Sequence, residues 1–333
     1  MAETVGQVSI VPKGRLQKLY LLSAIAFGLL AVVPLFVSDQ YVLFMLSLSL
    51  VYAIVALGLN VTNGYLGMLN LSVAGQVALG AYTCAILALR GIPLPLAIAA
   101  SIICGGAVAA VIFLIFARLQ GFFFGLATIA AAEVIRLLIR NLDAITNGVR
   151  GLRGFSHLTG SAATTYLVLV LFLLAIMLLS ALTVHSSIGL RWRAIRENRG
   201  KALSLGIPVA RFQFGGFVMS GAIMSFGGAL LAPLLQYIEP NIAGLNTLVQ
   251  TVLMVALGGG GTLYGPVIGA LVITLLPEFL RLANELRLVI YGVALILVAL
   301  TLPGGILGFI VGKLRVRRRI AGLRVREESG VDQ

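Results

Sequence analysis

The chain has 333 residues, of which 60% are hydrophobic and 11% are charged, and its mean hydropathy is +1.08. Soluble domains carry about a quarter of charged residues, so this composition excludes an ordinary soluble protein and predicts an all-α, polytopic membrane helical bundle. The net charge of +13 does not indicate nucleic-acid binding, because the basic residues stand in short segments between apolar runs, as on a cytoplasmic membrane face.

Nine apolar runs follow one another, and each is long enough for a membrane helix. Residues 1–18 precede the first run with three basic residues, and no cleavage site of small residues closes that run, so we expect an uncleaved span. The predicted permease domain, 19–311, is followed by a basic tail, 312–333; basic clusters stay in the cytoplasm, so both termini are expected there. The runs lie at about 19–37, 41–61, 66–89, 93–117, 122–140, 166–184, 212–236, 246–276 and 287–303.

Nine passes would put the two termini on opposite sides of the membrane, so one run must be counted twice. The run at 246–276 is divided by a glycine-rich segment between Gly258 and Pro266. Each glycine in a helix costs ~1 kcal/mol relative to alanine, so four in succession predict a break between two short arms. About ten passes in an inner, cytoplasmic membrane follow, and the glycines assigned to the solute path are Gly258, Gly259, Gly260 and Gly261.

A second glycine-interrupted region, from Gly58 to Gln76, places several polar groups at membrane depth. Polar groups in hydrocarbon need partners, and glycine-broken spans in both halves of a chain are typical of a translocation path. The alternative is that the small residues only let helices pack closely. The polar residues predicted to line the path are Asn60, Asn63, Asn70, Ser72 and Gln76.

One predicted membrane helix carries an acid and a base three residues apart, Glu133 and Arg136. A carboxylate within a membrane is usually paired, and this spacing puts both side chains on one helical face. Two interpretations stay open: a structural lock between helices, and a gate or ligand contact.

The longest polar interruption, residues 186–211, carries six basic residues and one acid, Glu197. Such a loop predicts a cytoplasmic surface that contacts a partner, although a topology signal or a patch for anionic lipid would have the same charge. The chain has no phosphate-binding P-loop motif, and its two histidines lack metal-ligand spacing, so we expect no ATP hydrolysis, no cofactor and no metal in this chain.

The loop sequence RAIREN followed by ALSLGI resembles the cytoplasmic coupling segment of the branched-chain amino acid permease family of ABC importers, in particular the M-type membrane subunit. Further stretches similar to that family extend from Gly58 to about Gly308, although the turn at 144–154 departs from its pattern. The resemblance implies that the loop is a coupling helix in a groove of the ATPase subunit. The coupling residues would be Arg193, Ala194, Ile195, Arg196, Glu197, Asn198, Ala202, Leu205 and Gly206.

The resemblance also implies the partners: a second permease, identical or different, two ATPase subunits that hold ATP and Mg²⁺, and an extracellular solute-binding protein. Branched-chain or related amino acids are the expected solutes, with urea, short amides or another small solute as alternatives. An ion-coupled carrier or a passive channel stays open on the broken spans alone. The solute path is expected away from the coupling loop, and the residues expected to dock the binding protein are Arg150, Arg153, Arg281 and Arg287.

Overall fold

The computed structural model describes residues 39–279; the predicted spans at 19–37 and 287–303, the basic tail, Arg281 and Arg287 lie outside the described residues. The described part is a helical bundle. Its helices are α1 (Gln40–Asn60), α2 (Val73–Leu89), α3 (Leu94–Phe116), α4 (Gly121–Asn141), α5 (Asp143–Thr146), α6 (Ala162–His185), α7 (Ser187–Glu197), α8 (Arg199–Ser204), α9 (Val209–Leu235), α10 (Leu245–Gly258) and α11 (Gly265–Phe279).

Five of the described helices are long and apolar enough to cross a membrane: α1 with its continuation to Leu66, α3, α4, α6 and α9. Three shorter apolar helices, α2, α10 and α11, join them. The structure thus confirms a membrane-type helical bundle. It also divides the run at 246–276 into α10 and α11, on either side of the glycine-rich segment.

The centre of the bundle is formed by α1 and α9. In the most apolar 18-residue stretch of each helix, 67% of the residues of α1 and 72% of those of α9 are buried. Helix α9 packs against α1, α2 and α3, and α1 also packs against α6 and α11. Helices α3, α4 and α6 are much less buried. The bundle therefore has two inner helices and a more exposed outer layer.

The interruption predicted from Gly58 to Gln76 is narrower in the structure, because α2 begins at Val73. Gly75 lies within α2, and a Cβ atom there would stand 2.8 Å from the Cα of Ala132 in α4. Its role is to let two helices approach closely, which is the alternative that the small residues left open.

Short elements close the end of the bundle that is opposite the 186–211 loop. A 3₁₀ turn, Gly148–Arg150, precedes β1 (Leu152–Arg153), which pairs antiparallel with β2 (Tyr237–Ile238). A second 3₁₀ turn, Pro240–Ala243, leads into α10. We call this end the far end and the opposite one the loop end.

Candidate functional site

The first break lies where α1 ends at the loop end. After Asn60 the backbone widens into a π-helical turn, Val61–Leu66, and Gly67 ends it in a left-handed conformation with φ of 68°. π-helical turns are rare and occur frequently at functional sites. The chain then runs without helical structure to Ser72.

The second break joins α10 to α11 and is closed by its own hydrogen bonds. The hydroxyl of Thr262 donates to the carbonyl of Gly259 at 2.7 Å and accepts from the N–H of Gly265 at 3.1 Å. Gly259 and Gly261 have positive φ angles of 110° and 80°, so side chains would strain this turn. The two arms therefore form a tight hairpin whose tip is residues 259–264.

Asn60 connects the two breaks. Its Nδ2–H donates to the carbonyl of Thr262 at 2.8 Å, and its Oδ1 accepts from the backbone N–H of Gly261 at 2.8 Å. The side chain is fully buried. Gly64 lies against this contact, and a Cβ atom there would collide with Asn60 Oδ1 and the Gly261 nitrogen. We call these four residues, Asn60, Gly64, Gly261 and Thr262, the break junction.

The basic loop folds as two helices, α7 and α8, that meet at Asn198, whose side chain accepts from the N–H of Lys201 at 2.9 Å. Trp192 is buried and its Nε1–H donates to the carbonyl of Phe212 at 3.1 Å, which ties α7 to the start of α9. Ile195, Ala202 and Val209 form a small buried cluster beneath the loop. The loop is thus an ordered part of the fold.

The expected coupling residues divide into two groups in the structure. Ile195 and Ala202 are buried against this chain and give no apolar face to a partner, whereas Leu205, expected beside them, is 76% exposed. Ala194 is half-buried. The residues that remain accessible are Arg193, Arg196, Glu197, Asn198, Leu205 and Gly206.

Arg196 extends from the loop to both breaks. Its Cγ atom would be 2.8 Å from a Cβ atom at Gly67, and its Nη1 would touch a Cβ atom at Gly261. The two glycine-rich segments that were expected away from the loop are therefore in contact with it. Helix α1 is about 30 Å long, so its break lies at the end of a span rather than halfway across it.

A cavity of about 260 Å³ opens beside this contact, between the loop, the first break and the connection from α3 to α4. Polar side chains from three elements line it, including Gln120, Asn198 and Gln213. The cavity gives access from the loop end to Gly67 and Arg196.

The other polar residues assigned to the path hold the first break and α2 in place. Asn63 Oδ1 accepts from the N–H of Asn70 at 2.8 Å, and Asn70 Oδ1 accepts from the hydroxyl of Ser72 at 2.8 Å. Gln76 accepts from the hydroxyl of Ser225 in α9. Asn70, Ser72 and Gln76 are fully buried, so they line no open path in this conformation.

The remaining predicted residues lie apart from the break junction. Arg150 and Arg153 are exposed at the far end, where the hydroxyl of Tyr237 donates to the carbonyl of Arg150 at 3.2 Å. Glu133 and Arg136 form an ion pair within α4, with Arg136 Nε donating to Glu133 Oε2 at 2.8 Å. Both carboxylate oxygens are used inside one helix, so within the described structure the pair does not lock two helices together.

Sequence reasoning missed Trp192, Gly64, Gly67 and Thr262. A signal existed for Trp192, because it is the only tryptophan of the chain and lies in the motif that carries the family resemblance. The other three are single small residues, and their importance depends on contacts between distant segments.

Comparisons with known proteins agree with these features. The sequence model of one protein family, the permease component of the branched-chain amino acid transport system, matches residues 41–322. The branched-chain amino acid permease LivM of Escherichia coli K12 is 26% identical over 346 residues, covering 92% of this chain and 78% of LivM.

The related permease LivH of Salmonella typhimurium is 26% identical over 307 residues, covering 81% of this chain and 97% of LivH. A tyrosine transport system permease of Clostridioides difficile is 24% identical over 213 residues, covering 63% and 70% of the two chains. No solved structure matches. This chain therefore belongs to the family of branched-chain amino acid transport permease components, which are transport subunits and not enzymes.

Proposed function

We propose that this chain forms the solute path of an ATP-driven importer for branched-chain or related amino acids, and that its 186–211 loop receives the movement of the ATPase subunits. Family membership makes the chain a permease component of an ABC importer and implies a second permease and ATPases. The identity of the solute, the cytoplasmic position of the loop and the involvement of a solute-binding protein are parts of the proposal.

The observation that carries the proposal is the contact of Arg196 with Gly67 and Gly261. A displacement of the loop by a few ångströms would move the Arg196 side chain away from Gly67 and Gly261 or press it against them. Because Asn60 joins the breaks by two hydrogen bonds, the first and second halves of the path would respond together. The loop would thus open or close the loop end of the path without an ATP site of its own.

The proposed topology has about ten passes with both termini and the loop in the cytoplasm. The positive charge of the loop and of the predicted tail supports this orientation. ATP and Mg²⁺ would be bound by the ATPase subunits only. Arg150 and Arg153, which are exposed at the far end, would then face the solute-binding protein, together with the predicted Arg281 and Arg287.

The test is uptake by proteoliposomes that contain the purified complex, with leucine, isoleucine, valine, tyrosine, urea and acetamide as solutes. We expect uptake of amino acids that requires internal ATP and the binding protein, and that persists when an uncoupler collapses ion gradients. Uptake of only urea or acetamide would overturn the amino acid assignment. Uptake by this chain alone that an uncoupler abolishes would instead identify an ion-coupled carrier.

A further inference from the structure

Helix α4 is the least buried of the described membrane-length helices. In its most apolar 18-residue stretch 33% of the residues are buried, against 39% in α3 and in α6. It begins beside the loop, since Gln120 and Gly121 line the same cavity as Arg196, and it ends at Asn141. One whole side of this helix has no neighbour within the described residues.

A charged pair lies inside that exposed side. The side chain of Glu133 is 46% exposed and that of Arg136 is 23% exposed. Glu133 is about 18 Å along the helix axis from Gly121 and about 12 Å from Asn141, so it lies within the hydrocarbon and beyond its middle. The bond to Glu133 also keeps Arg136 from extending to the outer interface.

The other outer helices present a different surface. The large exposed side chains of α3 are apolar, including Ile103, Val111 and Leu114. The same holds for α6, with Leu167, Leu171 and Leu178. These two surfaces suit lipid chains, whereas an ion pair in contact with lipid is expensive. Among the described outer helices, α4 alone places charge in its exposed middle.

Six residues along the exposed side of α4, one of them the partly exposed Glu133, have the spacing of a helix-packing seam. They recur at alternating intervals of three and four, which is the pattern that packs one helix along another at a shallow angle. The exposed side chains of Phe122, Val134 and Leu138 flank them. Ala130 in the middle would permit a close approach. The six residues, which we call the α4 seam, are Phe123, Leu126, Ala130, Glu133, Leu137 and Arg140.

We propose that the α4 seam is the surface on which this chain packs against a membrane helix of the second permease subunit. Arg136 has five N–H donors, and within the described structure two of them are satisfied by Glu133. The partner helix supplies acceptors for the others, from polar side chains or free backbone carbonyls, and excludes lipid from the pair. This inference rests on the proposed function, because an importer with two permease subunits provides such a helix.

The test uses the photoreactive residue p-benzoylphenylalanine in the full-length chain, expressed in its native host with all other subunits. It replaces Ala130 or Leu137 in the seam, Leu171 in α6 as the lipid-facing control, and Leu205 in the loop. After irradiation, the adducts of each variant are identified by mass spectrometry. We expect the second permease at Ala130 and Leu137, lipid at Leu171 and an ATPase subunit at Leu205.

Lipid adducts, or adducts within this chain, at both seam positions would overturn the inference. If the seam positions crosslink to the second permease while Leu205 does not crosslink to an ATPase subunit, the proposed coupling role is contradicted and the interface is not.

Since a bulky residue can disturb packing, the variant Glu133→Leu with Arg136→Leu gives a second measurement. We expect the second permease to co-purify in amounts reduced on the order of tenfold, because interhelical polar contacts in membranes contribute about 1–2 kcal/mol. Undiminished co-purification would contradict the inference.

Discussion

The side-chain oxygen of Asn60 accepts a hydrogen bond from the backbone N–H of Gly261, 201 positions later in the chain, at 2.8 Å. The same amide donates to the carbonyl of Thr262. One side chain thus holds together two helix breaks from opposite halves of the chain. The breaks form a single structural unit at the loop end of the bundle.

Replacing Asn60 by alanine should separate the two breaks. The variant removes the partner of the N–H of Gly261 and of the carbonyl of Thr262 in a part-buried contact, and each lost hydrogen bond costs about 0.5–1.5 kcal/mol. We expect the apparent melting temperature of the purified complex to fall by on the order of 5 °C. The control is Thr251→Val, which removes only a local bond to Thr247 within α10. Equal melting temperatures for the two variants would contradict the bridging role of Asn60.

Gly64→Ala should block transport while the protein still reaches the membrane. The new methyl group would collide with Asn60 Oδ1 and the Gly261 nitrogen, so the break junction cannot close around it. We expect uptake to fall at least about tenfold, since overpacking a well-packed contact costs about 1–3 kcal/mol. Gly215→Ala is the matched control, because a Cβ atom there meets nothing within 4 Å. Wild-type uptake by Gly64→Ala would show that the junction opens during the cycle without needing this close contact.

Arg196→Ala should uncouple ATP hydrolysis from uptake. The truncated side chain no longer reaches Gly261 and keeps only its Cβ beside Gly67, whereas the buried anchors of the loop, Trp192 and Ile195, are unchanged. We expect the ATPase subunits to co-purify, ATP hydrolysis to continue, and the number of solute molecules imported per ATP to drop several-fold. Lys201→Ala, a change of another exposed basic residue in the same loop, should keep the wild-type ratio. A parallel loss of ATPase binding would assign Arg196 to the subunit interface instead.

Two substitutions of Trp192 should separate the contributions of its hydrogen bond and of its buried packing to the attachment of the loop. Trp192→Phe removes the hydrogen bond to Phe212, worth about 1 kcal/mol, and retains most of the buried packing. Trp192→Ala removes both, and such a change in a core costs about 3–5 kcal/mol. We expect proteolysis within 186–211 to be slow in wild type, slightly faster in the phenylalanine variant and much faster in the alanine variant. Equal rates in all three would mean that Trp192 does not anchor the loop.

Hydropathy and glycine content were sufficient to predict the membrane-length helices α1, α3, α4, α6 and α9 and the division of 246–276. Each of these features is local: an apolar run of a given length, or several glycines in succession. The break junction was not predictable in the same way, because Asn60 and Gly261 approach each other only through the packing of α1 against α10 and α11. Hydropathy also could not show that Leu205 is exposed while Ala202 is buried three residues earlier. That difference depends on how α8 and the residue that follows it pack against α7 and the start of α9.

Helix α9 has a mechanical consequence beyond its place in the core. The carbonyl of Phe212 in its first turn accepts from the indole of Trp192, and two residues after its last residue, Leu235, Tyr237 pairs with Arg153 at the opposite surface. With 27 residues it is about 40 Å long, the thickness of a whole bilayer. A single helix thus connects the surface where the loop is anchored with the surface where Arg153 is exposed. If the solute-binding protein and the ATPase subunits bind as proposed, they would contact opposite ends of this helix.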